Sequence, residues 1–466
     1  MSATRSLADD FAPADLAAWR ALAEKGLKGR PFDELIHRTA DGLEIQPLYT
    51  SADAGGRTGP LTSPAVDVTR PWDLRGVVSA TDPVEANRIA LEHLNGGAAS
   101  LLVEARGALA DQDGLVPALK GVLLELASVA LDAGADGARA ADALAVAAKG
   151  SPRAALALHL DAPSAWATSE GADLAALTIS FANTALRHAA AYPQASLFMA
   201  SGVAVHDAGG TEVQELAFMA AGAVQAARAA EAAGGDPAQA LARTVLGLSA
   251  DQDVLLTIAK LRAARLIWRQ LAGAVGIDAP ARIEARGSRR MLTSLDAETN
   301  LLRQTAACFA AAVGGADAIA LDPFDRVLGI DSPVALRQSR NIQLVLMEES
   351  HLGRVADPLA GAFAVEQLTD QLARRAWAAF QAIEAEGGLN AALLSGRLPD
   401  QVAEAAEARA ARIASGDLVM IGVNQHPRPG DAPPPPVSVA DCPLPLRRDA
   451  VAFELKAFEE AAHAAS

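Results

Sequence analysis

His206 and Asp207 stand side by side in SGVAVHDAGGTEVQEL, between a short apolar run and a helical pattern. In a β/α unit that junction faces the end of the sheet where catalysis is housed, so the pair is a candidate for acid–base work. Adjacent side chains need not meet, and a structural, hydrogen-bonded histidine is the preferred reading. Thr211, with Gln214 three residues on, has the spacing of a helix capping box. A second group, Arg282, Arg286, Arg289 and Arg290, surrounds another strand candidate. Guanidinium is a fixed fork of donors that suits phosphate or CoA-like anions, although a set of salt bridges accounts for the same residues. A third group lies in EESHLGRVADPLAG, where Glu348, Glu349, His351, Arg354 and Asp357 are candidates for a buried network locking a helix–loop junction. Their spacing matches no standard metal site. No C-x-x-C, H-E-x-x-H, G-x-S-x-G or Walker A element occurs.

The elements that must position these groups alternate. From Arg70 onward short apolar runs (LRGVVSA, SLLVEA, RAALALHLD, SLFMASGVAV, PARIEARG, ADAIALDP) are separated by longer helical patterns. Such alternation demands a parallel sheet covered by helices. Seven or eight strand candidates between about 73 and 321 predict a closed (β/α)₈ barrel, with a doubly wound open sheet as the competitor. The absence of an early G-x-G-x-x-G removes the dinucleotide-binding form of that competitor. Gly96-Gly97 and Gly314-Gly315 are expected helix stops. The organisation predicted is an N-terminal helical and extended arm over 1–69, a barrel over 70–365, and helices packing on it over 366–425. A Pro-rich spacer and terminal helix over 426–466 complete it. Within the arm, PADLAAWRALAEKGLKG predicts a helix with Trp19, Leu22 and Leu27 on its apolar side. Residues 418–424 predict a short strand, and GDAPPPP at 430–436 an extended spacer.

Bulk properties narrow the function classes. The 466 residues are 51% hydrophobic but only 4% aromatic, so the core is built from Ala, Leu and Val. With 40 Lys/Arg against 56 Asp/Glu the net charge is −16, which opposes a nucleic-acid partner. Only Cys308 and Cys442 are present, without metal-ligand spacing, and no apolar run matches a membrane span or signal peptide. A reduced, cytoplasmic protein is expected.

Several stretches together resemble the methylmalonyl-CoA mutase family: RTADGLEIQPLYT (38–50), RPWDLRG (70–76), DAGGTEVQELAF (207–218), TAACFAAAVGGADAI (305–319), SRNIQLVLMEESHLGRVADPLAG (339–361) and AWAAFQAIEAEGGL (376–389). The likeness spreads over about 38–425. It implies a TIM barrel threaded by an acyl-CoA, with a flavodoxin-like domain holding adenosylcobalamin over the barrel mouth, and a radical rearrangement of the acyl skeleton. In that division the cofactor supplies the reactive chemistry, while protein supplies orientation and exclusion of water.

The sequence departs from the active pattern. The D-x-H-x-x-G motif whose His ligates cobalt does not occur, and neither His426 nor His463 lies in a suitable strand–loop–helix unit. Where the resemblance expects a substrate-contacting Tyr three residues before R-P-W, this chain has Asp67. Where it expects G-Y-H, whose His assists the thioester carbonyl, this chain has Gly202-Val203-Ala204, losing both polar groups. A further polar stretch expected before Tyr192 is replaced by LTISFANTAL, in which Asn183 is the nearest polar candidate.

Asp67, Val203 and Ala204 are therefore degenerate positions. The resemblance implies the small, non-catalytic subunit of an adenosylcobalamin-dependent methylmalonyl-CoA mutase, an isomerase component inactive alone. It implies a heterodimer with the catalytic large subunit, which holds the cofactor, while this chain alone binds neither cofactor nor metal. Trp19, Leu22 and Phe32 in the arm are then candidate pairing contacts. Two alternatives stay open: a catalytic barrel served by a separate cobalamin-binding polypeptide, and an accessory protein that binds the mutase. Whether the lumen admits CoA is not decided by residue types.

Overall fold

The computed structural model describes residues 15–53, 60–62, 67–428, 434 and 440–465. Its centre is the expected closed, parallel eight-stranded barrel. The strands are β1 (Asp73–Val78), β2 (Ser100–Val103), β3 (Ser128–Leu131), β4 (Leu156–Leu160), β5 (Ser196–Ser201), β6 (Thr244–Ala250), β7 (Ile283–Gly287) and β8 (Ala318–Ala320), each paired with the next and β8 closing on β1. Each is followed by a covering helix: α1 (Pro83–Asn95), α2 (Gln112–Ala118), α3 (Gly137–Ala147), α4 (Leu174–Ala189), α5 (Glu212–Ala232), α6 (Val254–Ala274), α7 (Asn300–Val313) and α8 (Pro333–Leu344).

The strand period sorts side chains between two environments. Leu101, Val103, Val129, Leu131, Leu156 and Leu158 point outward into the helix layer. Val77, Leu102, Ala130, Ala157 and Ala320 form a separate apolar layer within the lumen. Both faces are buried, so the strands read as nearly continuous apolar runs. Local signals fix the helix ends. Asp82 caps α1 by accepting from the Glu85 amide at 2.9 Å, with Pro83 at its first position. Gly97 and Gly315 follow α1 and α7 at φ +100 and +82, a conformation that Ala would resist.

The C-terminal third wraps this barrel. α9 (Phe363–Ala385) packs on both α5 and α6, burying Leu368, Leu372, Ala376 and Phe380. Arg262 of α6, fully buried, is held by the carboxylates of Asp357 and Glu366. α10 (Leu389–Leu394), α11 (Arg397–Ser415) and α12 (Val451–Ala465) complete the chain. The strand predicted over 418–424 does not form: an isolated bridge joins Ile421 to Gln425, and Asn424 caps the turn by accepting from the Met420 amide. A side-chain amide thus satisfies backbone groups that a ladder would have served. The predicted Pro-rich spacer, apart from Pro434, falls outside the described residues. No helix among the described residues is long and apolar enough to cross a membrane.

Candidate functional site

The inward-facing residues of β7 and β1 carry charge where the apolar pattern of the strands continues outside. Ile283 and Ala285 point outward, so Glu284 and Arg286 point into the lumen. Arg75 of β1 pairs there with Glu284, with Asp73 at 2.8 Å, and with the Ser100 hydroxyl at 3.0 Å. Arg286 donates to Glu284 at 2.8 Å and to Asp132 at 2.7 Å; Arg106 meets the same Asp132 at 2.6 Å. Glu284 is fully buried. Desolvation would raise its pKa, but His159, Arg286 and Arg75 outweigh that and hold it down at about 2. The result is an ion-paired plug across the barrel axis.

The plug divides the lumen. Below it, toward the strand N-termini, Asp73, Arg75, Ser128, Ser196, Arg282 and Glu284 border a cavity of about 320 Å³. Above it lies a chamber of about 280 Å³ whose walls include His159, Asp161, Ser201, Asp207 and Arg289. Ala440, Cys442, Leu444 and Leu446 also line this chamber, because a C-terminal strap crosses the mouth. Three main-chain bonds fasten the strap: the amides of Leu444, Arg447 and Asp449 donate to the carbonyls of Ala167, Asp207 and Arg290 at 2.8, 2.8 and 2.9 Å. The Asp449 carboxylate accepts two bonds from Arg409, at 2.8 and 2.7 Å.

The four arginines do not act as one anion site. Arg282 borders the lower cavity and donates to the Ala242 carbonyl, and burial lowers its pKa. Arg286 belongs to the plug. Arg289 is taken by Asp322 at 2.7 Å and Glu104 at 2.5 Å. Arg290 donates to the carbonyls of His206 and Gly210 and pairs with Asp251 at 3.3 Å. Strand geometry separates residues that sequence spacing had placed together.

His206 and Asp207 likewise diverge. His206 is buried, its Nε2 2.8 Å from the Ser288 hydroxyl and its Nδ1 3.5 Å from Glu215; desolvation first, then Arg290, lowers its pKa to about 4. Asp207 instead borders the chamber. The Thr211–Gln214 capping box forms as expected.

Beneath it lies a charge cluster that sequence reasoning missed. Glu215 accepts from the Ser249 amide and hydroxyl, both at 2.6 Å, and from Lys260 at 2.6 Å. His206, Glu212 and Asp251 bring potential ligand atoms within 4.8 Å of one another. Lys260 and Arg290 already supply positive charge there, which disfavours a metal. The available signal was Lys260, set with Arg262 and Arg265 in the mostly apolar helical stretch LLTIAKLRAARLIW.

The five residues of EESHLGRVADP do not form one buried network. Glu348, Glu349, His351 and Arg354 are exposed, and Glu348 pairs outward with Arg70 at 3.2 Å. The chain continues α8 as a π-helical turn over Val345–Glu349, which rotates these side chains toward solvent. Asp357 alone turns in, at φ +45, to receive Arg262 and the Leu61 amide. Among the degenerate positions, Val203 and Ala204 line the chamber. Asp67 lines neither cavity: it sits in an exposed turn, accepting from the Thr69 hydroxyl and amide, which lower its pKa. Asn183 is exposed on α4.

The profile of the family described as methylmalonyl-CoA mutase matches residues 173–453. The methylmalonyl-CoA mutase small subunit of Streptomyces virginiae is 35% identical over 98% of this chain and 78% of its own length. A probable methylmalonyl-CoA mutase small subunit of Mycobacterium bovis is 38% identical over 92% of this chain and 72% of its own. The methylmalonyl-CoA mutase of Escherichia coli is 28% identical over 88% of this chain and 63% of its own.

Proposed function

Because the chain belongs to the methylmalonyl-CoA mutase family, we propose that it is the small, non-catalytic subunit of a heterodimeric mutase. The large subunit interconverts methylmalonyl-CoA and succinyl-CoA with adenosylcobalamin, and this barrel supports it structurally in the cytoplasm. The observation that carries this reading is the plug of Arg75, Glu284, Arg286 and Asp132. An acyl-CoA threading the axis would have to break ion pairs made in a water-poor lumen, each costly to leave with one partner alone.

The residues over the mouth do not fit a corrin. The strap occupies that face, and His159 and His206 are both buried. At the degenerate positions Val203 and Ala204 offer no side-chain donor to a thioester oxygen, so the electrostatic assistance such chemistry needs has no source there.

The test combines purified chain, methylmalonyl-CoA and adenosylcobalamin, with and without the large subunit. No turnover is expected from this chain, even with a separate cobalamin-carrier domain, together with one-to-one co-purification with the large subunit. Turnover with the carrier domain alone would overturn the non-catalytic reading. Substoichiometric, transient association would instead mark an accessory protein.

A further inference from the structure

The chamber under the strap is close to the lower size limit of small-molecule sites. Its cations are committed. Arg106 and Arg286 both bind Asp132, and Arg289 binds Asp322 and Glu104. An entering carboxylate or phosphate would meet no unengaged guanidinium and would face Asp161 and Asp207.

The unsatisfied groups ask for a donor. Asp207 Oδ1 is buried without a hydrogen-bond partner, and Arg290 beside it is spent on Asp251 and two carbonyls. Burial pushes the Asp207 carboxyl up to about 6, outweighing the opposite pull of Arg289 and Arg290. Independently, His159 borders the same chamber, with its Nε2 3.8 Å from Glu284 of the plug. Its side chain is 1% exposed and neither ring nitrogen has a hydrogen-bond partner. Desolvation holds it neutral, with a pKa of about 4, so it offers one donor and one acceptor. Its backbone, at φ +49 within β4, sits in a conformation that a non-glycine residue keeps only when its surroundings demand it. Buried groups left unpaired in this way are uncommon in folded proteins.

We propose that the chamber binds a small organic ammonium ion, its N–H groups on the Asp207 carboxylate and its body against His159, Met199 and Val203. The preferred ligand is therefore opposite in charge to a carboxylate-bearing acyl group. This preference is independent of whether the chain turns over any substrate.

Titration calorimetry on the full chain with putrescine, and with malonate as the oppositely charged control, tests it. Saturable one-site binding of putrescine is expected, with none for malonate, and Asp207→Asn should weaken binding at least tenfold. In the unaltered protein the imidazole ¹⁵N resonances of His159 should move as putrescine saturates, which needs no variant to fold. Unsaturable putrescine heats, malonate binding in its place, equal affinity in a folded D207N protein, or unmoved His159 resonances would each overturn the proposal.

Discussion

Glu284 reaches past β8 to hold Arg75, so the two strands flanking β8 are joined inside the lumen as well as through the sheet. Arg286 binds the same carboxylate from the other side. Removing Glu284 therefore takes one ion pair from each of two buried guanidinium groups, leaving Arg75 with Asp73 and Arg286 with Asp132. Glu284→Ala should cost about 3–5 kcal/mol of folding stability, measured as a fall in the urea midpoint at unchanged slope. A loss within the range of an ordinary surface substitution, about 0.5 kcal/mol, would mean that water already reaches the plug.

Glu212 at the start of α5 has the opposite balance. Desolvation, the largest influence, together with Asp251 and Asp41, outweighs Lys260 and raises its pKa to about 7. An acid with a raised folded pKa supports the fold below its unfolded value near 4.5 and loses that support as pH climbs toward 7. Glu212→Gln should leave stability nearly unchanged at pH 5 and raise it at pH 8, by on the order of 2 kcal/mol. Thermal unfolding of both proteins across that range checks the sign. A gap that does not widen with pH means that Glu212 is not the group responsible.

The barrel was legible in the sequence because the strands read as short, mostly apolar runs and several of the helices between them end at glycine. Glu284 and Arg286 show why the site was not. Within IEARG the period of two separates inward Glu284 and Arg286 from outward Ile283 and Ala285, and that signal was present. Grouping Arg282, Arg286, Arg289 and Arg290 by proximity instead suggested one anion site. Their partners Asp132, Asp251, Asp322 and Glu104 come from other strands and loops, which no local pattern connects. The exposed side chains after α8 misled for a related reason: a π turn changes the helical phase, and apolar periodicity gives no warning of it.

The strap is held by few contacts, and Asp449 makes several of them. Its amide donates to Arg290 and its carboxylate takes both arms of Arg409. Segments of this kind open locally without global unfolding. Asp449→Ala should speed hydrogen exchange at the Leu444 and Arg447 amides by at least tenfold while the strands β1–β8 keep their protection. Unchanged exchange at those two amides would show that the apolar contacts of Leu444 hold the strap unaided.

The first helix among the described residues is left uncovered. The helix Leu16–Gly26 contains no buried residue, and Leu22 is 69% exposed. Trp19 meets Phe32 edge-on at 6.1 Å, and the Arg20 guanidinium lies 4.4 Å above the same ring. Eleven residues are too few for a helix to be stable in water from its own hydrogen bonds, even with Asp15 as its cap. An amphipathic segment in that position gains stability from being covered, and under the proposed function the large subunit covers it. Removing residues 1–36 should weaken association with that subunit by at least tenfold in sedimentation or surface-binding measurements, and Trp19→Ala should reproduce part of the loss. The barrel should still unfold cooperatively, since none of its strands draws on this segment. Association at full strength after the deletion would place the pairing surface on the barrel helices instead.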